Sequence, residues 1–117
     1  MKKFESIEEV KTRAEELSTA LNTKVYPMSF IGSDDTDLVV GFVKEPPFLV
    51  KARAMDKMYT GMSFTAGMDI FDNYLIKEES DPRLLSTAPE NDKYRLGGIK
   101  FCGEIVKLSI DQTEKKN

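Results

Sequence analysis

Carboxylates are the residues of this chain with the clearest capacity for chemistry. Asp34, Asp35 and Asp37 fall within four positions, a density that suits a hard divalent cation, because calcium and magnesium take oxygen ligands. The run lacks the glycine and the distal glutamate of an EF-hand loop, and a solvated turn selects the same short, hydrogen-bonding side chains. Asp69 and Asp72 stand three apart, which places both on one helical face, where they could share a cation or act as an acid and base pair. The plainer reading is the wet face of a helix. Gly97-Gly98 hints at a phosphate cradle ahead of a helix, but no strand precedes it and the second half of the dinucleotide fingerprint is missing. Cys102 groups with Phe101, Ile105 and Leu108 on an apolar helical side, where a thiol packs as a small hydrophobe and is not driven to ionise.

The chain contains no histidine. That excludes the Ser-His-Asp and Cys-His arrangements, a histidine general base and every histidine-ligated metal site. No catalytic, cofactor-binding or metal-binding residue is therefore assigned, and the expectation is a protein that is not an enzyme. With 17 basic and 20 acidic residues the formal charge is −3, which favours solubility and gives no electrostatic footprint for a phosphate backbone, so nucleic acid is not expected as a partner. The longest apolar run is about four residues, far short of the roughly 20 that span a bilayer, and Met1-Lys2-Lys3-Phe4 leads into acidic residues rather than a signal-peptide core. No membrane association and a cytoplasmic location follow as expectations. A single cysteine cannot form an internal disulfide, so packing must hold the fold.

The 117 residues fit one domain: a helix and β-hairpin in residues 1–45, a helical part in 46–112 and a frayed tail at 113–117. Ser6-Ile7-Glu8-Glu9 has the form of a capping box, and Ile7, Val10, Ala14, Leu17 and Leu21 follow at helical spacing as far as a stop at Asn22. From Lys24 the period becomes two, with Tyr26, Met28 and Phe30 on one side and Val25, Pro27, Ser29 and Ile31 on the other. Pro27 cannot donate to a ladder, which predicts an edge strand or an outward-pointing amide position. Gly32 to Thr36 is turn chemistry and Leu38 to Val43 the returning strand, with Gly41 marking a bulge or a close approach. Pro46-Pro47 ends that strand and predicts a helix from Pro47 with Phe48, Ala52, Met55 and Tyr59 on one face, stopped by Gly61. A second helix from Ser63 carries Phe64, Met68, Phe71 and Leu75 as its stripe, and the short loop between them predicts an antiparallel helical hairpin. Ser80-Asp81-Pro82 predicts one short capped turn, and Asn91-Asp92 the cap of a last helix with Lys100, Glu104, Lys107 and Asp111 on its polar face. Gly103 inside it calls for a close-packed neighbour. The fold class is α+β, with a two-stranded hairpin between an N-terminal helix and a mostly helical remainder.

Methionine is the unusual usage: Met55, Met58, Met62 and Met68 fall within fourteen residues. Flexible, polarizable thioethers suit surfaces that accept partners of varied shape. Met55 and Met68 lie in the apolar stripes and read as core. Met58 and Met62 flank the turn and, with Tyr59, are the candidate partner-binding residues.

Gly41-Phe-Val-Lys-Glu-Pro-Pro, Ala54-Met-Asp-Lys and Lys77-Glu-Glu-Ser-Asp-Pro-Arg-Leu together resemble the bacteriophage tail assembly chaperones, a family of small phage and prophage proteins. The resemblance covers about the last two thirds of the chain. It implies a non-enzymatic protein of the host cytoplasm that binds the tape measure protein, and tail tube subunits with it, and keeps them soluble until the tail polymerises. Members of that family often also occur in a longer frameshifted form. A carboxylate enzyme using a divalent metal and a general adaptor stand as alternatives from the residues, and a structural virion subunit as one that the resemblance leaves open.

Overall fold

The computed structural model describes residues 3–115 and, for side chains, residues 3–109. Helix α1 (Ile7–Leu21) opens at Ser6, which is extended and accepts the Glu9 amide on its hydroxyl at 3.2 Å. The Glu9 carboxylate reaches one residue further back than a capping box requires and accepts from the Glu5 amide at 3.3 Å. The helix stops at Asn22, whose left-handed backbone (φ 52°) lets its N–H donate to the Ser18 and Thr19 carbonyls.

Strands β1 (Val25–Ile31) and β2 (Leu38–Lys44) pair antiparallel in a regular register, Val25 opposite Lys44 and Ile31 opposite Leu38. Glu45 N–H donates to the Lys24 carbonyl (2.9 Å) and Gly32 N–H to that of Asp37 (2.6 Å), which sets the alternation along the ladder. Tyr26, Met28 and Phe30 therefore turn their amides toward β2, while the positions of Val25, Pro27, Ser29 and Ile31 turn theirs away. Pro27 sits where its missing donor costs the ladder nothing. Gly41 marks a close approach and no bulge, because a Cβ there would lie 2.7 Å from Leu84 Cδ1.

The far edge of β2 is closed by residues 75–81. Ile76 N–H donates to the Phe42 carbonyl and Asp81 N–H to that of Val40, both at 2.8 Å, while Phe42 N–H donates to Ser80 Oγ at 3.1 Å. The Ser80 hydroxyl donates to the Ile76 carbonyl at 2.7 Å, so this buried serine is satisfied twice. With both edges and both faces covered, β2 is buried from Val39 to Val43, which is why it reads as an apolar run instead of an alternation. Val40 and Phe42 pack toward Val10, Ala14 and Leu17 of α1, together with Phe4. Val39 and Val43, with Met28, pack on the other side toward the helical layer.

That layer consists of α2 (Phe48–Tyr59), α3 (Ser63–Tyr74) and α4 (Asp92–Lys115). Short 3-10 turns at Lys77–Glu79, Pro82–Leu84 and Pro89–Asn91 lie between the last two. Helices α3 and α4 cross closely because Gly67 has no side chain: a Cβ there would lie 2.3 Å from the Ile99 carbonyl oxygen. Phe71, Ile70, Ile105 and Cys102 fill the crossing and are fully buried. The architecture is α+β as the sequence predicts. Of the tail expected at 113–117, residues 113–115 continue α4, and residues 116 and 117 lie outside the described residues.

Candidate partner-binding surface

Helix α2 begins at Phe48, with Pro47 extended as its cap rather than as the first helical residue. It ends in a Schellman arrangement: Gly61 (φ 83°) donates to the Met58 carbonyl at 3.1 Å, and Met62 N–H donates to that of Lys57 at 2.8 Å. Glycine is the residue that takes this backbone without strain. The α2–α3 hairpin is thus closed by local chemistry.

The orientation of α2 corrects the apolar stripe as a core-facing one. Phe48 and Tyr59 are each 80% exposed, Leu49 is 64% exposed, and the fully buried residue of the helix is Ala54, four-hundredths exposed on the opposite side. The physical reason is contact distance. Ala54 is buried in one apolar cluster with Ala66 and Ile70 of α3, and a helix seated through a small residue has little room to bury rings on that side. The large side chains are left on the outer face. There Phe48, Ala52, Met55 and Tyr59 form one wall of an open groove of about 640 Å³, with Lys51 and Asp56 beside them and Val106 and Ser109 of α4 opposite.

The sequence-predicted partner residues divide. Tyr59 lies on the outer face and Met62 is 47% exposed at the turn, close in sequence to the partly exposed Phe64. Met58 is half-buried and packs against the core, with its Cε 3.8 Å from the position of a Cβ on Gly103. Met55 and Met68 are partly buried against the same core, and Met55 also lines the groove. Within the second stripe, Phe71 and Leu75 are buried while Phe64 is 45% exposed; Ala66, Gly67 and Ile70, outside that stripe, are buried as well.

The carboxylates are engaged elsewhere. Asp37 takes both terminal nitrogens of Arg83, at 2.7 and 3.0 Å, and also accepts from the Ser33 amide. Arg83 also bonds the buried Asp81 through Nε (3.1 Å) and Nη2 (2.9 Å), and its guanidinium lies 5.8 Å from the Tyr94 ring centre. The clamp ties the hairpin turn to the Pro82–Leu84 turn, and the guanidinium holds the Asp37 carboxyl well below the usual range. Asp34 is spent on the Thr36 hydroxyl and amide, which lower its pKa. Asp69 pairs with Lys57, and Asp72 lies 3.8 Å from Arg95, so each of these exposed carboxylates meets a cation of its own. Among the described residues no group of three or more His, Cys, Asp or Glu is placed to hold a metal ion.

Gly97 and Gly98 lie inside α4, not ahead of a helix. A Cβ on Gly97 would meet the Phe30 ring at 2.9 Å, and one on Gly98 the Phe71 ring at 2.5 Å, so both glycines admit aromatic rings against the helix backbone. Burial, with a smaller contribution from Asp72, pushes the Cys102 thiol up to about 12. The Lys51–Glu45 ion pair ties the first turns of α2 to the end of β2. Burial and the nearby Glu45 carboxylate together raise the Tyr26 hydroxyl above its usual range. Sequence reasoning missed the Arg83 clamp and the outward Phe48 and Leu49; the signal for Arg83 was its place directly after a capping Asp-Pro.

The class that fold and surface define is a small α+β domain whose outermost helix carries an exposed apolar face. Among the described residues no helix is long and apolar enough to cross a membrane. Comparison of the chain with protein-family models, with curated proteins and with solved structures returns no match.

Proposed function

We propose that the protein is a non-enzymatic tail assembly chaperone of a phage or prophage. It holds an apolar helix of the tape measure protein on the outer face of α2, and tail tube subunits before they polymerise. One observation carries the reading: α2 seats itself through Ala54 and leaves Phe48 and Tyr59 80% exposed beside a groove. Paired exposed rings are costly to solubility unless a partner covers them, and a groove three turns long suits an amphipathic client helix. Tyr59 and Met62, with Phe48, supply the contact; Met58 supports them from the core side. Asp34, Asp37, Asp69 and Asp72 are each engaged by a partner of their own, which supports reading the chain as a contact module. The resemblance carried by the segments at 41–47, 54–57 and 77–84 supplies the identity of the client.

Co-expression with a tape measure protein tests this. The client is expected to be soluble and captured with the wild-type chain, and to lose capture with Tyr59→Ser and Met62→Ser at unchanged melting temperature. A client equally soluble and unbound with or without the chain refutes the reading.

A further inference from the structure

The outer face of α2 has a property that its exposure alone does not require: it is complementary to itself. Phe48, Ala52, Met55 and Tyr59 are spaced four, three and four, the alternation of a two-helix seam. Laid antiparallel on a second copy, with the two-fold axis at the middle of the helix, each Phe48 meets the partner's Tyr59 and each Ala52 the partner's Met55. Ring faces ring at both ends, and small faces large in the middle, which is how facing layers interdigitate. The flanks are compatible as well. Leu49, 64% exposed, stands toward the partner's Asp56, and Lys51 is held by Glu45 of its own chain, so no like charges are opposed.

We infer that this chain forms a two-fold symmetric dimer through α2, with the partner's α2 lying antiparallel in the groove between α2 and α4. The area sets its strength. An aromatic side chain carries roughly 150–250 Å², so Phe48 and Tyr59 at 80% exposure, with Leu49, offer on the order of 400 Å² from each protomer. That is about half of the roughly 800 Å² per partner in a standard interface. The dimer is therefore weak and reversible, and it closes the apolar face against non-specific contacts while leaving it open to a better-fitting occupant. The pairing rests on the geometry of α2 alone; its consequence, that a client must displace one protomer from the other, rests on the function proposed above.

Analytical ultracentrifugation of the full chain without any client tests the pairing. Wild-type protein is expected to pass from monomer to dimer as concentration rises through the micromolar range, and Phe48→Ser with Tyr59→Ser to remain monomeric throughout at an unchanged melting temperature. The register is tested by cysteine cross-linking. A mixture of the Phe48→Cys and Tyr59→Cys variants is expected to give an oxidised heterodimer, whereas either variant alone gives none, because like positions stand about 16 Å apart along the helices. A monomer at every concentration, a dimer that survives the double serine change, or cross-links between like positions overturns the inference. A dimer that forms as described while no tape measure protein is captured leaves the pairing standing and refutes only the client.

Discussion

The α3–α4 crossing and the outer face of α2 draw on the same residue types and use them in opposite ways. At the crossing, a missing side chain at Gly67 lets two backbones approach, and Phe71, Ile70 and Ile105 fill the space around it. On α2 the small residue, Ala54, faces inward and the rings face out. In both places it is the small residue that decides which face is buried, because backbones approach where side chains are short and the larger residues must go wherever volume remains. The lesson is that an apolar stripe marks a face that avoids water, without stating whether the chain itself or a partner covers it.

The sharpest way to break this contrast is to damage the crossing. Phe71→Ala is expected to cost about 3–5 kcal/mol, the range for emptying an aromatic site in a packed core. Gly67→Val, which drives a side chain into the Ile99 carbonyl, is expected to cost about 3 kcal/mol, at the top of the range for overpacking. Urea unfolding of both variants checks these values, and a loss under 1 kcal/mol at either site would mean that the crossing is looser than its geometry.

Arg83→Met comes next. It strands the buried Asp81 without its cation; a fully buried pair broken this way loses about 3–5 kcal/mol, and the one-third exposure of Arg83 reduces the expectation to about 2 kcal/mol. The clamp also has a pH signature. The native pKa of Asp37 lies below its unfolded value, so its contribution is complete above the ordinary carboxylate pKa near 4 and is lost as pH falls toward the depressed native value. Asp37→Asn should therefore flatten the fall in stability between about pH 5 and pH 2 relative to wild type, measured by thermal unfolding across that range. An unchanged slope would remove Asp37 as its source.

Smaller effects sharpen the other side of the comparison. Met58→Ser is expected to lower stability by about 1–2 kcal/mol, since Met58 packs against the core, while Met62→Ser stays within about 0.5 kcal/mol. Equal effects of the two changes would show that the α2 turn does not separate an inner from an outer methionine. Native Cys102, buried and with its thiol pKa pushed up to about 12, should react with a thiol reagent only at the rate of unfolding.

Local chemistry was legible in the sequence at several element ends, although Pro47 caps α2 where it was expected to begin it. The Ser6 cap, the Asn22 stop, the Gly61 turn and the Asp81-Pro82 turn all lie where their side-chain and backbone preferences place them. The edge position of Pro27 was legible for the same reason, since a missing N–H restricts a strand whatever surrounds it. The Asp37–Arg83 clamp was not legible, because it joins residues 46 apart in the chain and nothing in either segment names the other. The role of the Gly97-Gly98 pair was not legible either, because a glycine that admits a ring and a glycine that admits a phosphate look alike until the neighbour is known. The face of α2 was open for a related reason. Periodicity gives the angle between side chains on one helix, whereas the direction in which that helix is pressed depends on which of its residues lets a neighbour come close. Sequence determined the elements and their ends, which depend on groups within a turn of each other. Only the tertiary structure decided that Ala54 would go in and Phe48 and Tyr59 out, because that choice is made by contact distances between helices rather than within one.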